Sequence, residues 1–130
     1  MSNFFTTISV EKARSISPVT LAFVGDAVYS LYVREKLVLT TDYGTGELQK
    51  LTSAEVSAHG QSILLNKLQS CFTEEETAIF KRGRNAKKST KSKNASVAEY
   101  NRSTGFEAVL GYLYLTGQNS RIIQLLGENI

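Results

Sequence analysis

The sequence predicts an all-α protein. Apolar residues recur at the three- and four-residue spacing of helices over most of the chain, and capping signals such as Thr73 with Glu76 mark helix starts. No alternating apolar and polar stretch bounded by hairpin turns is present, which argues against a sheet. The chain has 130 residues, of which 42% are hydrophobic and 21% are charged. These values are typical of one globular domain, which we expect to span residues 1–130.

The first long helix is predicted from Pro18 to Arg34. Ser17 is a suitable N-cap, and proline fits the first helical position. Between Leu21 and Val33 the only charged residue is Asp26, so the helix is apolar nearly all round and is expected to be buried. A buried carboxylate must be neutral, hydrogen-bonded, paired or bound to a metal. From this stretch alone, a structural and a functional aspartate explain the pattern equally well.

The residues before this helix give a weaker pattern. We expect Phe4, Phe5 and Ile8 to pack on the core, and residues 11–15 to lead into the long helix. After it, the turn that contains Gly44 has glycines that are free to adopt a positive φ.

A second long helix is predicted from Glu47 to about Gln69, where apolar residues keep helical spacing. A kink near Thr52 or Gly60 is compatible with the pattern. A third helix begins at Thr73, whose capping box with Glu76 satisfies two backbone donors.

The third helix ends in basic residues, and residues 87–93 that follow contain no apolar side chain. We therefore expect a basic loop at about residues 81–95. Ser96 is a possible cap for the next helix, whose most apolar run is Thr104 to Leu115 with a single carboxylate, Glu107. Gly117 ends this run. A last helix follows, capped by Asn119 or Ser120 and carrying four apolar residues, Ile122, Ile123, Leu125 and Leu126.

The charge is strongly segregated along the chain. Residues 81–102 hold eight of the fifteen Lys and Arg residues and one of the twelve acids, so this window carries +7 and the remainder −4, for a net +3. Such segregation favours a polyanionic partner, although a solvated loop that only keeps the protein in solution is an alternative.

The single cysteine, Cys71, excludes an internal disulfide framework and fits a reducing compartment. The N-terminus has no basic start followed by an apolar core, and no window approaches the ~18 uninterrupted apolar residues of a membrane span. We therefore expect a cytoplasmic protein without membrane association. His59 and Cys71 lack the partners that acid–base or nucleophilic catalysis requires.

The two apolar helices share one design. Gly25 precedes Asp26, and Gly111 follows Glu107 by one turn. Small residues let helices approach closely, so the two carboxylates are placed to converge on one hard cation such as Mg²⁺ or Mn²⁺. Carboxylate–metal chemistry beside a basic segment suggests phosphodiester hydrolysis.

Three motifs then carry a family resemblance. LAFVGDAVYSLYVR, from Leu21, and TGFEAVLGYLYL, from Thr104, resemble the two metal-binding helices of the ribonuclease III catalytic domain, and RGRNAK, from Arg82, is a third match in the expected order. Together they cover most of residues 18–117. The chain resembles the Mini-ribonuclease III subfamily in particular, because it is compact, shows no double-stranded-RNA-binding domain and contains the sequence YNRSTGFEA.

The resemblance implies a helical, homodimeric endonuclease that cleaves double-stranded RNA with Mg²⁺, for which Mn²⁺ substitutes, and leaves 5′-phosphate and 3′-hydroxyl ends. The implied substrate is precursor 23S ribosomal RNA, matured during ribosome biogenesis, with a ribosomal protein as a further candidate partner. Asp26 matches the catalytic aspartate and Glu107 the metal-binding glutamate, so we assign catalysis and metal binding to both. Two acids of larger relatives are replaced, by Ala22 and Thr104, as in the subfamily.

Basic residues of the 81–95 segment are expected to contact RNA phosphates and to recognise A-form shape more than sequence. They are Lys81, Arg82, Arg84, Lys87, Lys88, Lys91 and Lys93.

Two other functions compete with this interpretation. The first is a non-catalytic dimeric RNA-binding protein on the same fold, which the acids missing at positions 22 and 104 favour. The second is a helical interaction protein whose basic loop binds an acidic protein surface. Four tyrosines at packing spacing are expected to lie in the core or at a dimer interface: Tyr29, Tyr32, Tyr112 and Tyr114.

Overall fold

The computed structural model describes residues 3–88 and 96–127, and within these ranges every regular element is a helix. The predicted all-α class is confirmed. The helices are α1 (Val10–Ser15), α2 (Pro18–Thr40), α3 (Thr45–Val56), α4 (Ala58–Leu68), α5 (Glu74–Asn85), α6 (Val97–Leu115) and α7 (Asn119–Gly127), and a short 3₁₀ helix (Gln69–Cys71) follows α4. None of the helices in these ranges is both long and apolar enough to cross a membrane.

Helix α6 is the centre of the fold. Every residue from Ser103 to Leu113 is buried except Glu107, and helices α2, α4 and α5 all pack against α6. Burial on all sides explains why the sequence of α6 is apolar nearly all round. Aromatic side chains fill the centre of the core, where the rings of Tyr29 and Phe106 meet edge to face at 5.3 Å.

Helices α2 and α6 touch through their backbones. A Cβ atom added to Gly25 would lie 1.7 Å from the carbonyl oxygen of Glu107, and one added to Gly111 would lie 1.9 Å from the carbonyl oxygen of Leu21. Any side chain at either position would therefore force the two helices apart. The predicted close approach at these two glycines is confirmed.

Some helix ends follow the predicted capping signals, whereas Ser17 makes no side-chain capping bond, and Asn119 and Ser120 lie within α7 and do not precede it. Thr73 forms a capping box with Glu76, and Ser96 forms a second one with Glu99. Gly117 ends α6 with a φ of 76°, in the left-handed region that favours glycine.

Several predicted boundaries were wrong. Helix α2 continues six residues beyond Arg34 to Thr40, because the sequence contains no helix breaker before Thr41. The predicted second long helix is two helices, α3 and α4, that meet at Ser57. The Ser57 hydroxyl accepts a hydrogen bond from the backbone N–H of Gly60 and so starts a new helix between the two suggested kink positions.

The N-terminal segment and the turn before α3 also differ from the prediction. Phe4 and Phe5 are 83% and 88% exposed, whereas Ile8 packs against the core as expected. The segment that was expected to lead into α2 forms the separate helix α1. The turn before α3 uses Gly44 at a φ of −74°, so it needs no left-handed residue.

Candidate active site

The crossing of α2 and α6 brings Asp26 and Glu107 together, as the glycine pattern predicted. Gly25, next to Asp26, lies directly on the backbone of Glu107. The pKa of the Glu107 carboxyl is raised to about 8, chiefly by burial. The hydrogen bond from Gln61 lowers this pKa, while the charge of Asp26 and hydrogen bonding with it raise the pKa. The two carboxyl groups therefore form an interacting pair in which one is buried beside the other.

Asp26 is exposed, so the prediction that it is a buried carboxylate was wrong. The buried face of α2 repeats every four residues and includes Ala22 beside that row. Its members are Leu21, Ala22, Gly25, Tyr29 and Val33. Asp26 lies one residue beyond that face, at its edge. Glu107, by contrast, is half-buried within the central helix. Glu107 is thus held by the packing around α6, whereas Asp26 is accessible from solvent.

Gln61 was not singled out in the sequence, yet it contacts this pair directly. Its side-chain Nε2 donates to Glu107 Oε2 at 3.0 Å and to the backbone oxygen of Val56 at 2.9 Å. A signal was present in the sequence, because Gln61 occupies the apolar spacing of α4 together with Leu64, Leu65 and Leu68. A polar residue in such a position needs a buried partner, and here that partner is Glu107.

The two positions that lack acids are neutral and buried. Ala22 is part of the core, and the Thr104 hydroxyl donates to the backbone oxygen of Tyr100 at 3.1 Å. Among residues 3–88 and 96–127, no group of three or more His, Cys, Asp or Glu side chains is arranged to hold a metal ion. The site that the structure describes is therefore a pair of carboxylates with one amide donor.

This donor set fits a magnesium ion. Both acids supply hard oxygen ligands, and Mg²⁺ commonly binds one or two carboxylates and keeps several waters. Two neighbouring carboxylates also repel each other when both are ionised, and a divalent cation between them removes that repulsion.

The basic residues divide into two groups. Lys81, Arg82 and Lys87 are exposed, while Arg84 is half-buried with its guanidinium 5.7 Å from the centre of the Phe80 ring. The prediction that the basic loop starts near residue 81 was wrong, because α5 continues to Asn85 and carries three of these residues.

Lys88 has a different environment from the one expected. Its amino group donates to the backbone oxygens of Ala86, at 2.7 Å, and Arg84, at 3.3 Å, so it stabilises the end of α5. Burial lowers the pKa of Lys88. Lys91 and Lys93 lie outside the described residues.

His59 and Cys71 lie outside the carboxylate pair. His59 Nδ1 is 2.6 Å from Glu99 Oε2, on the exposed surface between α4 and the start of α6. Cys71 is exposed at the end of the 3₁₀ helix. Of the four tyrosines that were assigned to packing, Tyr29 and Tyr112 are fully buried, and Tyr32 and Tyr114 pack partly against the core.

Comparisons with known proteins identify the fold and the family. The family model described as Ribonuclease III domain matches residues 19–118, which include all three motifs. A Mini-ribonuclease 3 from Staphylococcus aureus is 44% identical over 117 residues, covering 88% of this chain and 87% of the relative. One from Thermoanaerobacter is 43% identical over 119 residues, covering 92% and 84%.

A crystal structure of a protein from Fusobacterium nucleatum has the same fold. It matches with a TM-score of 0.79 and 34% sequence identity, over 88% of this chain and 92% of that one. The family match, the relatives and the fold agree with the order of the motifs, so the chain belongs to the ribonuclease III family of endoribonucleases.

Proposed function

We propose that this endoribonuclease hydrolyses double-stranded RNA with Mg²⁺, which Mn²⁺ replaces, and that its task is to mature the ends of precursor 23S ribosomal RNA. The observation that carries the proposal is the pair of carboxylates, Asp26 and Glu107, on two helices whose backbones touch. The ribosomal substrate is proposed from the similarity to Mini-ribonuclease 3 proteins. That substrate also places the enzyme in the cytoplasm, where bacterial ribosomes are assembled.

Asp26 and Glu107 are the residues that would hold the ion. Magnesium, when bound, supplies a more acidic water and offsets negative charge on the phosphate. The protein itself fixes Glu107 from inside the fold through Gln61 and leaves Asp26 exposed on the side from which a duplex approaches. The resemblance to the ribonuclease III family implies that hydrolysis leaves 5′-phosphate and 3′-hydroxyl ends.

The surface of α2 supports a homodimer. Val19, Phe23, Ala27 and Leu31 form an exposed stripe at four-residue spacing, and Phe23 is 79% exposed. A second copy of the chain would remove these apolar side chains from water. Asp26 lies beside the stripe, so a symmetric pair of chains has its two sites at the same interface, one for each strand of a duplex.

The exposed cations Lys81, Arg82 and Lys87 are proposed to contact RNA phosphates, together with Lys91 and Lys93 of the same basic segment. Phosphate contacts carry no sequence information, so recognition depends on the A-form shape of the duplex. A ribosomal protein bound to the precursor RNA would supply the additional selectivity.

Cleavage of long duplex RNA by the purified protein, with and without Mg²⁺, tests the proposal. We expect cleavage only with the metal, and termini that accept ligation as 5′-phosphates without prior phosphorylation. Duplex binding without cleavage at any Mg²⁺ or Mn²⁺ concentration would instead favour the RNA-binding alternative. Light scattering at micromolar concentration tests the dimer, and a monomer would contradict it.

A further inference from the structure

Gln61 is among the most buried polar residues of the described chain and was not assigned a role by the motifs. Its side chain is 1% exposed, and its Nε2 bridges two acceptors, Glu107 Oε2 and the backbone oxygen of Val56. Both hydrogens of the amide nitrogen are therefore used. The amide oxygen Oε1 is also buried and has no hydrogen-bond partner among the described residues, so the cost of burying this side chain is offset only by the two bonds that Nε2 donates.

The corner between α3 and α4 fixes where Gln61 lies. Ser57 caps α4 through the backbone N–H of Gly60 at 3.0 Å. A Cβ atom on Gly60 would lie 2.3 Å from the backbone oxygen of Ala54, so the two helices meet with no room for a side chain. Gln61 follows immediately. The tightly packed corner therefore places the Gln61 amide beside Glu107. The hydrogen bond to Val56 also connects this amide to the end of α3.

The two oxygens of Glu107 are thereby made unequal. Oε2 accepts from Gln61, whereas the carboxyl group as a whole also interacts with Asp26 of the neighbouring helix. A donor on one carboxylate oxygen fixes the plane of the carboxylate and directs the other oxygen. An amide is suited to this task because it donates without adding a third negative charge.

We infer that Gln61 is a positioning residue of the active site, which holds Glu107 by Oε2 so that Oε1 is presented to Asp26 and to the divalent cation. The inference rests on the proposed metal-dependent function. It predicts that Gln61 controls metal affinity through Glu107, without touching the substrate.

The test is Mn²⁺ and Mg²⁺ binding to the RNA-free protein by calorimetry, in the parent and in Gln61→Met. Methionine keeps the volume and removes both donated hydrogen bonds. We expect metal affinity to fall by about 10-fold or more, the range for residues that orient a metal ligand. Affinity for duplex RNA in EDTA should stay unchanged. Leu65→Met, a buried change one turn further along α4, is the matched control and should leave metal affinity unchanged.

A double-variant cycle separates positioning from a general structural effect. In a Glu107→Gln background, Gln61→Met should cause no further loss of metal affinity, because the group that it positions has already been altered. If Gln61→Met fails to fold, Gln61→Asn withdraws the same amide by one methylene and should show the same loss.

Two results would be distinguishable failures. If Glu107→Gln weakens metal binding and folded Gln61→Met does not, the positioning role is wrong and the proposed function stands. If the parent binds no divalent cation at all, the proposed function fails first.

Discussion

The α2–α6 crossing and the basic end of α5 differ in how strictly they position their functional side chains. At the crossing, Gly25 and Gly111 bring two backbones into contact, and the carboxylates take their positions from that contact. At the end of α5, Lys81 and Arg82 are both exposed, and Arg82 also donates to the backbone oxygen of Arg14 at 3.4 Å. Chemistry at a phosphorus atom requires fixed geometry, whereas attraction to a polyanion requires only charge. The carboxylates must therefore be held in fixed positions, whereas the cations need only be present on the surface.

The two regions also differ in how they treat charge. The crossing places like charges together and buries one of them, which raises the pKa of Glu107 to about 8. The end of α5 spreads its charges over the surface, and one of them, Lys88, donates to backbone oxygens of the helix end. Substitutions in the first region should therefore change the cleavage rate sharply, and the stability too where the residue is buried, whereas those in the second should change binding gradually.

The largest expected effect is on cleavage by Asp26→Asn. The amide keeps the shape of the side chain and removes the charge that is proposed to hold the ion, so cleavage of duplex RNA should fall on the order of 100-fold or more. Duplex binding and melting temperature should stay close to the parent values, because Asp26 is exposed. The control is Asp42→Asn, an exposed aspartate in the turn before α3. Cleavage at the parent rate with saturating metal would show that Asp26 is not part of the site.

Gly25→Ala tests whether the crossing is held by backbone contact. The added methyl would lie 1.7 Å from the Glu107 carbonyl oxygen, so the helices must separate, at a cost of about 3 kcal/mol in the free energy of unfolding, together with loss of cleavage. Gly46→Ala is the control, since a Cβ atom there meets nothing within 4 Å. In helix α3 that change should leave stability equal or up to about 1 kcal/mol higher. Equal melting temperatures for both variants would contradict the packing argument.

A pH series in EDTA tests the buried carboxyl group. The ordinary pKa of Glu107 is 4.5 and its value in the folded protein is about 8, so between these values the folded state holds a proton that the unfolded state has lost. Stability from this group is complete below pH 4.5 and is lost as the pH rises through 8. Glu107→Gln has no such proton, so from pH 5 to 9 the parent should lose on the order of 2 to 4 kcal/mol more than the variant. If the free energy of unfolding changed with pH in the same way for the parent and for Glu107→Gln, Glu107 would be ionised in the folded protein.

The smallest expected effects come from the basic segment. Replacing Lys87, Lys91 and Lys93 by Ala should weaken binding to every duplex sequence and flatten the salt dependence of binding, by up to about 0.9 log–log units per lost phosphate contact if B-DNA is a guide. Lys88→Ala is the comparison within the same segment. Because its amino group binds backbone oxygens of α5, it should lower the melting temperature and leave the salt slope nearly unchanged. A slope that changes equally in both cases would contradict this division.

Sequence patterns predicted this site where the determinant is local. Glycines beside the two carboxylates predicted the close approach of α2 and α6, and the capping box at Thr73 and the possible cap at Ser96 predicted two helix starts. The helix starts need only neighbours in the chain, and the close approach needs only a small residue at one position of each helix. Features set by distant residues were harder to predict. The exposure of Asp26 depends on which face of an almost uniformly apolar helix turns towards α6, and neither periodicity nor composition decides that.

Gln61 and Ser57 show the same limit. The contact from Gln61 to Glu107 joins residues 46 positions apart, and only the corner at Ser57 makes it. A continuous helix through residues 47–69, as the apolar spacing suggested, would have delivered a different side chain. The Ser57 hydroxyl, which accepts from the backbone N–H of Gly60, caps α4 at this corner.

The contact at Gly25 and Gly111 has a consequence for how such an enzyme tolerates change. The spacing between Asp26 and Glu107 is set by main-chain atoms, not by the sizes of the side chains that fill the core. Volume-conserving exchanges among the leucines and aromatic residues of the core should then alter the melting temperature but not the distance between the Asp26 and Glu107 carboxyl groups. Stability and activity become separately adjustable properties, and a heat-resistant variant of this nuclease can be sought by redesigning its interior, provided that these two glycines stay in place.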